Sequence, residues 1–134
     1  MKDKIVQSIF SLISITTLLI IVPTTFAQNA WLGGSCMSGS GIYQFSNGDR
    51  YEGQCRNNGF NGQGTLILQS GDRYQGSFRN DLKEGQGTYL YANGNRHQGQ
   101  FGGGQRNGNG VLQFANGERY EGSYSNDERS GRGT

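Results

Sequence analysis

The chain has few of the residues that build catalytic or metal centres, with one histidine and two cysteines among 134 residues. Two cysteines and a single distant histidine lack the ligand spacing of a zinc site. The acidic residues recur at regular intervals instead of pairing, and neither a phosphate-binding loop nor a nucleophile with a matching base can be assembled. We therefore predict a protein that is not an enzyme and that uses no metal and no cofactor.

An excess of charge of one sign is also lacking. The chain has 12 Lys and Arg against 10 Asp and Glu, and without the first 27 residues it keeps ten basic and nine acidic residues. Nucleic-acid binding requires a basic footprint. This balance argues against nucleic acid as a partner, and against a membrane binder that depends on strong electrostatic attraction.

The long apolar run is confined to the N-terminus. Lys2 and Lys4 precede the run from Ile5 to Val22, the single proline Pro23 ends it, and small residues flank the Phe in the segment 25–27. This layout predicts a helical signal peptide over residues 1–27, cleaved after Ala27, and export to the periplasm or the extracellular medium. An uncleaved membrane anchor is the alternative, because about 18 apolar residues approach the minimum length of a membrane span.

Glycine, in contrast, is abundant, and all 24 glycines follow residue 27. They mark a 23-residue repeat that continues to Thr134 without a register slip. A fixed period of this length predicts stacked units that bury their surface mainly against their neighbours. The predicted organisation is a cap segment 28–37, followed by a repeat domain 38–134 with units 38–50 (partial), 51–73, 74–96, 97–119 and 120–134 (partial).

Each unit carries two apolar patterns, numbered here with Tyr74 as position 1. Positions 1, 3 and 5 share one side of a strand because side chains alternate, and Tyr74, Gly76 and Phe78 hold them in this unit. Positions 16 and 18 form a second pair, Tyr89 and Tyr91. We therefore predict an all-β fold, an elongated single-layer antiparallel sheet of tandem hairpins that rises roughly 10 Å per unit and has no globular core.

Glycine also marks the expected turns. The Asn-Gly pairs between units, such as Asn47-Gly48, predict tight hairpin turns. The other connection is expected to end in Gly-x-Gly, as at residues 62–64, where glycine suits a bend or a close approach. The glycine at position 3 is expected to leave room for a ring from the adjoining strand.

The Tyr-x-Gly start, the Gly-x-Gly, the Asn-Gly and the period resemble the MORN repeat (membrane occupation and recognition nexus) from residue 38 to 134. The resemblance implies a non-catalytic module that binds proteins and, in some members, membrane phospholipids. Cys55 and His97 depart from the pattern by replacing aromatic residues, glycines replace polar residues at 102–104, and the last unit is expected to lack its second strand. We expect an exported interaction or scaffold module with a protein partner, the alternative being a peripheral binder of anionic phospholipid or glycan.

Two columns of repeated side chains are candidate binding residues. The arginine at position 23 could contact anionic head groups or an acidic polymer, or it could only pair with the Glu or Gln at position 2. The rings could stack on sugars or hold a partner helix, or they could only cover the sheet and each other, although a single layer is not expected to hide them completely. The candidates are Arg50, Arg73, Arg96, Arg119, Tyr51, Tyr74, Tyr120, Phe78, Phe101 and Tyr124.

Two further expectations concern the ends of the repeat domain. Cys36 and Cys55 predict a disulfide in an exported protein, closing a loop of about 20 residues and contributing roughly 3 kcal/mol. The strand around residues 120–124 is expected to have an unpaired edge. Such an edge fits either a fragment of a longer chain or a dimer joined by strand addition.

Overall fold

The computed structural model describes residues 29–134, which form one open antiparallel sheet of ten strands. The strands follow one another across the sheet in chain order, so the predicted all-β fold is confirmed. Within residues 29–134 there is no helix long and apolar enough to cross a membrane, and the predicted signal peptide lies outside the described residues. The strands are β1 Ala30–Trp31, β2 Ser38–Gln44, β3 Arg50–Arg56, β4 Gly59–Ile67, β5 Arg73–Arg79, β6 Leu82–Leu90, β7 Arg96–Gly102, β8 Gln105–Gln113, β9 Arg119–Ser125 and β10 Glu128–Gly133.

The tightest turns lie inside the units, where the sequence interpretation placed a loop. Only Asn57 and Asn58 separate β3 from β4, and their φ angles are 50° and 60°. Two consecutive positive φ angles fit the twist of the flanking strands, and Asn, Asp and Gly tolerate this conformation. The equivalent pairs are Asn80-Asp81, Gly103-Gly104 and Asn126-Asp127. The sequence prediction assigned the tight turns to the Asn-Gly pairs between the units and therefore missed these turns.

The Asn-Gly connections are hairpin loops of five residues, longer than the tight turns that the sequence predicts. Between β2 and β3, the amide of Phe45 donates to the carbonyl of Asp49 at 2.9 Å, and Gly48 has a φ of 97°. The Asp49 carboxylate also accepts a hydrogen bond from the Gln69 amide of the next loop at 2.9 Å. Asp72 and Asn95 repeat this contact one and two units later. The loops therefore stack on one another from unit to unit.

The Gly-x-Gly sequence does not end a loop but lies inside the second strand of each unit. Gly64 in β4 faces Gly53 in β3, and the register continues this pairing across the sheet. The result is a row of glycines through nine strands: Gly41, Gly53, Gly64, Gly76, Gly87, Gly99, Gly110, Gly122 and Gly133. The adjoining glycine of the motif, such as Gly62 with a φ of 95°, lies at an irregularity of the strand pairing.

The expectation that the last unit lacks its second strand is wrong. β10 pairs with β9 through Arg129 and Tyr124 among others, and the amide of Thr134 donates to the carbonyl of Glu121 at 2.9 Å. The two-residue turn at 126–127 needs so little chain that the remaining residues suffice for a strand. The outer edge of the described sheet therefore belongs to β10 and not to β9. Pairing of this edge with a second copy stays a prediction.

The predicted disulfide between Cys36 and Cys55 is present, with 6.0 Å between the Cα atoms. Both cysteines are buried beside Trp31. We expect the double variant Cys36→Ala, Cys55→Ala to lose roughly 3 kcal/mol of unfolding free energy, because its unfolded chain is no longer cross-linked. Urea denaturation measures this loss. Dithiothreitol should lower the wild-type transition and leave that of the variant unchanged, and an equal response of both proteins would contradict the assignment.

Candidate interaction surface

The side of the sheet that bears Tyr51, Tyr74 and Tyr120 is called the aromatic face. Tyr51 and Tyr74 are almost completely buried, at 0% and 1% exposure, although the sheet is a single layer. The glycine row makes this burial possible, because glycine leaves room for the ring. A Cβ atom on Gly64 would lie only 2.5 Å from the ring of Tyr51. The rings therefore lie flat on the glycines of the neighbouring strand. The expectation that a single layer does not hide its rings completely is wrong for these two, and with their neighbours they form a hydrophobic core along one face of the strip.

The rings of adjacent units meet edge to face. Each ring at position 1 contacts the ring at position 5 of the following unit: Tyr51 with Phe78 at 5.0 Å, and Tyr74 with Phe101 at 4.9 Å between centroids. His97 contacts Tyr124 in the same way at 4.8 Å. Edge-to-face contacts add about 1 kcal/mol each beyond the area that they bury. They form the repeated interface that holds one unit to the next.

A third column, at position 10, covers the rings, and the sequence interpretation missed it. Phe60 stacks on Tyr51 with 3.9 Å between centroids. Further along, the Lys83 ammonium lies 4.8 Å from the centre of the Tyr89 ring. Arg106 and Arg129 cover Tyr124 and Tyr120 at 4.8 and 4.3 Å. Position 10 holds one aromatic residue and then three cations. All four side chains cover a ring, but because they are of different types the sequence does not show this common role.

Covering the rings moves the pKa of several groups on this face. Burial lowers the pKa of Lys83 below its usual value, and Asp127 and Asp72 partly oppose that change. Burial raises the pKa of Tyr74 to about 12. It also raises that of Tyr89, whose hydroxyl donates to the Asp72 carboxylate at 2.8 Å. Tyr74 and Tyr89 therefore stay neutral at physiological pH, and their hydroxyls act as hydrogen-bond donors.

His97 differs from Tyr51 and Tyr74 in its hydrogen bonding. The hydroxyl of Tyr74 donates to the carbonyl of Ser77 at 2.9 Å, whereas both ring nitrogens of His97 are buried and have no hydrogen-bond partner. Burial, and secondly the nearby positive charge of Arg106, lower its pKa to about 4, against an opposing contribution from Asp127. The ring is therefore neutral at physiological pH.

The burial of the aromatic candidates bears on their predicted binding role. Phe78, Phe101 and Tyr124 are 3–5% exposed and Tyr120 is half-buried. Their faces are occupied by neighbouring rings, by glycines or by the cations of position 10, which favours the structural alternative. Ligand binding by these rings stays a prediction, and of the candidates Phe78 lines a depression of about 350 Å³ together with Tyr43, Phe45, Phe60 and Leu66.

The opposite side of the sheet, called the open face, carries the arginine column. The register places one row of side chains across seven strands: Arg50, Ile67, Arg73, Leu90, Arg96, Gln113 and Arg119. Ile67 and Leu90 are 41% and 43% exposed. The structure thus alternates arginines with exposed apolar or amide side chains, a pattern that the sequence interpretation did not derive, because the intervening residues come from the other strand of each unit.

The four arginines differ in their partners. The Arg50 guanidinium lies 3.4 Å from the carboxylate of Glu52, and that of Arg119 lies 2.8 Å from Glu121. The two central units have Gln75 and Gln98 at the equivalent position. Among the described residues, Arg73 and Arg96 form no ion pair within 4.0 Å. The predicted pairing of arginine with position 2 therefore holds as an ion pair only in the outer units.

Several depressions cross the open face, including one of about 390 Å³ beside Gln75, Thr88 and Gln98. A cleft of about 260 Å³ lies between Arg73 and Arg96 and is also lined by Gln75, Thr88 and Leu90. A wider trough of about 660 Å³ crosses β6 to β9 along the glycine row, with amide side chains on its walls. Residues 29–134 contain no group of three or more His, Cys, Asp or Glu side chains placed to hold a metal. The exposed chemistry of this face is therefore that of amides, guanidinium groups, a few carboxylates such as those of Glu52 and Glu121, and isolated aliphatic side chains.

Comparison with known proteins gives a family match over most of the chain. The MORN repeat family model matches residues 37–50, 51–73, 74–96, 97–119 and 120–134. No curated protein matches the sequence significantly. Among solved structures, the chain is similar to the TCP domain of SAS-4 (dCPAP) of Drosophila melanogaster, in complex with a proline-rich motif of Ana2 (dSTIL), with 18% identity and a TM-score of 0.49. The similarity covers 71% of this chain and 53% of that one, so this chain spans about half of its length.

Proposed function

Because the chain belongs to the MORN-repeat family, we propose that it is an exported, non-catalytic scaffold that holds a partner protein against the open face of its sheet. The observation that carries the proposal is the different use of the two faces. The aromatic face is occupied by contacts between the units, with Tyr51, Tyr74 and His97 buried. The open face instead presents a regular row of exposed arginine and aliphatic side chains, the type of surface that proteins use for association.

Export is the part of the proposal that rests mainly on the sequence. The basic start, the apolar run and the small residues before Gln28 support a cleaved signal peptide. The disulfide between Cys36 and Cys55 fits an oxidising compartment. N-terminal sequencing of the chain recovered from the periplasm or the medium should begin at Gln28, and recovery only from the cytosol with Met1 retained would contradict export.

A photo-crosslinking amino acid on the open face tests the scaffold role. Placed at Gln75, which is exposed in β5, it should capture a discrete partner in the native compartment. Placed at Asn93, in an exposed loop at the end of the strands, it serves as the matched control and should capture less of that partner. Absence of any discrete product from either position in the folded protein would overturn the scaffold proposal.

The second candidate function is peripheral binding to an anionic phospholipid or glycan, and the row of four arginines favours it. Each basic residue near an anionic membrane contributes only about 1 kcal/mol, and Glu52 and Glu121 offset part of that attraction. Sedimentation with anionic and neutral liposomes at two salt concentrations distinguishes the candidates. Salt-sensitive pelleting with anionic liposomes alone would favour this second function over the scaffold.

A further inference from the structure

The cleft between Arg73 and Arg96 has a geometry that selects its ligand. The register places Arg73, Leu90 and Arg96 directly beside one another on β5, β6 and β7. Two inter-strand spacings therefore separate the arginines, about 10 Å. Leu90 lies between them and is 43% exposed. The cleft thus presents two guanidinium groups, carried on backbone positions about 10 Å apart, on either side of an exposed apolar side chain.

The charges of the open face set the cleft apart from the rest of the arginine row. The outer arginines are paired with the carboxylates of Glu52 and Glu121. The side chains that line the cleft beside Arg73 and Arg96 are neutral, namely Gln75, Thr88 and Leu90. The arginine row is therefore positive at its centre and has a carboxylate beside the arginine at each end, a pattern that suits a short anionic ligand.

We propose that this cleft binds an acidic helix of the partner protein, with two carboxylates seven residues apart and an apolar side chain between them. The inference rests on the proposed function and deepens it by naming the chemistry of the partner. Seven residues of α-helix rise about 10.5 Å, which matches the separation of Arg73 and Arg96. Each guanidinium can bind one carboxylate through two parallel hydrogen bonds. The residue three or four positions after the first carboxylate lies on the same face of the helix and contacts Leu90.

A flat anionic membrane fits the open face less well than a single helix does. Such a surface would cover the whole arginine row and bring its negative charge against Glu52 and Glu121, which lie on the same side of the sheet. A helix that spans only the central cleft avoids both carboxylates. The exposed side chain of Leu90 can also make an apolar contact with an amphipathic helix, which a plane of head groups does not offer.

Fluorescent helical peptides test the proposal on the exported chain, which begins at Gln28 after the proposed cleavage. The probe peptide has Glu at positions i and i+7 and Leu at i+3 and i+4, and matched peptides have Gln at both Glu positions, or Glu at i and i+4. Binding is measured by fluorescence anisotropy. We expect the probe to bind, and each matched peptide to bind about tenfold more weakly, because one or both ion pairs are lost.

Paired protein variants locate the binding. Arg73→Gln with Arg96→Gln should reduce the affinity for the probe by about tenfold or more. The matched control, Arg50→Gln with Arg119→Gln, removes the same charge from the outer units and should change the affinity by about twofold or less. Circular dichroism spectra of all variants should equal that of the wild type, because these side chains are exposed or half-buried.

Three results would overturn the proposal: no binding of the probe, equal binding of the Glu and Gln peptides, or equal losses in the central and outer variants. Binding to phosphatidylserine-containing vesicles that depends on Arg73 and Arg96, without peptide binding, would assign the cleft to lipid and also overturn it. Crosslinking from Gln75 distinguishes failure of the cleft proposal from failure of the scaffold proposal. A partner captured equally by wild type and by the central variant overturns only the cleft, whereas no partner at all overturns the scaffold.

Discussion

Alanine in place of Gly76 is expected to destabilise the sheet by roughly 3 kcal/mol, enough to remove a large part of the stability of a small domain. A Cβ atom at this position would lie 2.5 Å from the Cα of Gly87, 2.6 Å from the carbonyl oxygen of Gln86 and 2.7 Å from the hydroxyl of Tyr74. Two of these atoms are backbone of the adjacent strand. The clash is therefore relieved only by separating β5 from β6 and lifting the Tyr74 ring.

The matched control for this variant is Gly102→Ala in β7. There the nearest atoms to a new Cβ belong to the side chain of Asn107, at 3.4 Å, which can move. Other units carry Arg56, Arg79 and Ser125 at the same position. We expect Gly102→Ala to unfold at nearly the wild-type urea concentration or slightly above it. Equal unfolding midpoints for the two variants would show that the glycine row is not required for the close approach of strands and rings.

Tyrosine in place of His97 is expected to stabilise the protein and to make its stability less sensitive to acid. Its hydroxyl would donate to the carbonyl of Gln100, as the hydroxyl of Tyr74 does to Ser77, and no buried ring nitrogen would be left unpaired. Gly110 already leaves the space under this ring that Gly87 leaves under Tyr74. Replacing unpaired buried polar atoms by a satisfied group should gain about 1–2 kcal/mol at neutral pH.

The pH dependence follows from the lowered pKa of His97. Its pKa is about 4 in the folded protein and about 6.5 in the unfolded chain, so the unfolded chain binds the proton first as the pH falls. The contribution of neutral His97 is fully present above pH 6.5 and is lost as the pH falls to about 4, by an amount on the order of 3 kcal/mol. Urea denaturation of wild type and His97→Tyr at several pH values measures the difference between them. A constant difference from pH 7 to pH 4 would contradict the burial of a neutral imidazole.

The sequence by itself determined the period, the strand content and the disulfide. A repeat without insertions lets apolar positions 1, 5 and 16 recur at the same place in each unit, and strand alternation then assigns them to one side of the sheet. The arginine column and its acidic or amide neighbours follow from the same alternation. These features involve residues that are close together in the sequence, separated by no more than one or two strands. The local periodicity of the sequence therefore predicts them directly.

Only the tertiary structure decided how the two strands of a unit combine. The glycine row joins position 3 of one strand to the Gly-x-Gly of the next, and the row of Arg73, Leu90 and Arg96 joins three strands. The pairing depends on a two-residue turn within a unit and on a five-residue loop between units, and a shift of one residue would move every side chain to the other face. The tertiary structure also determines which side chains cover the rings, namely Phe60, Lys83, Arg106 and Arg129. A stacked ring and a cation over a ring fill the same space by different physical means, so the sequence contains no common residue type that reveals the column.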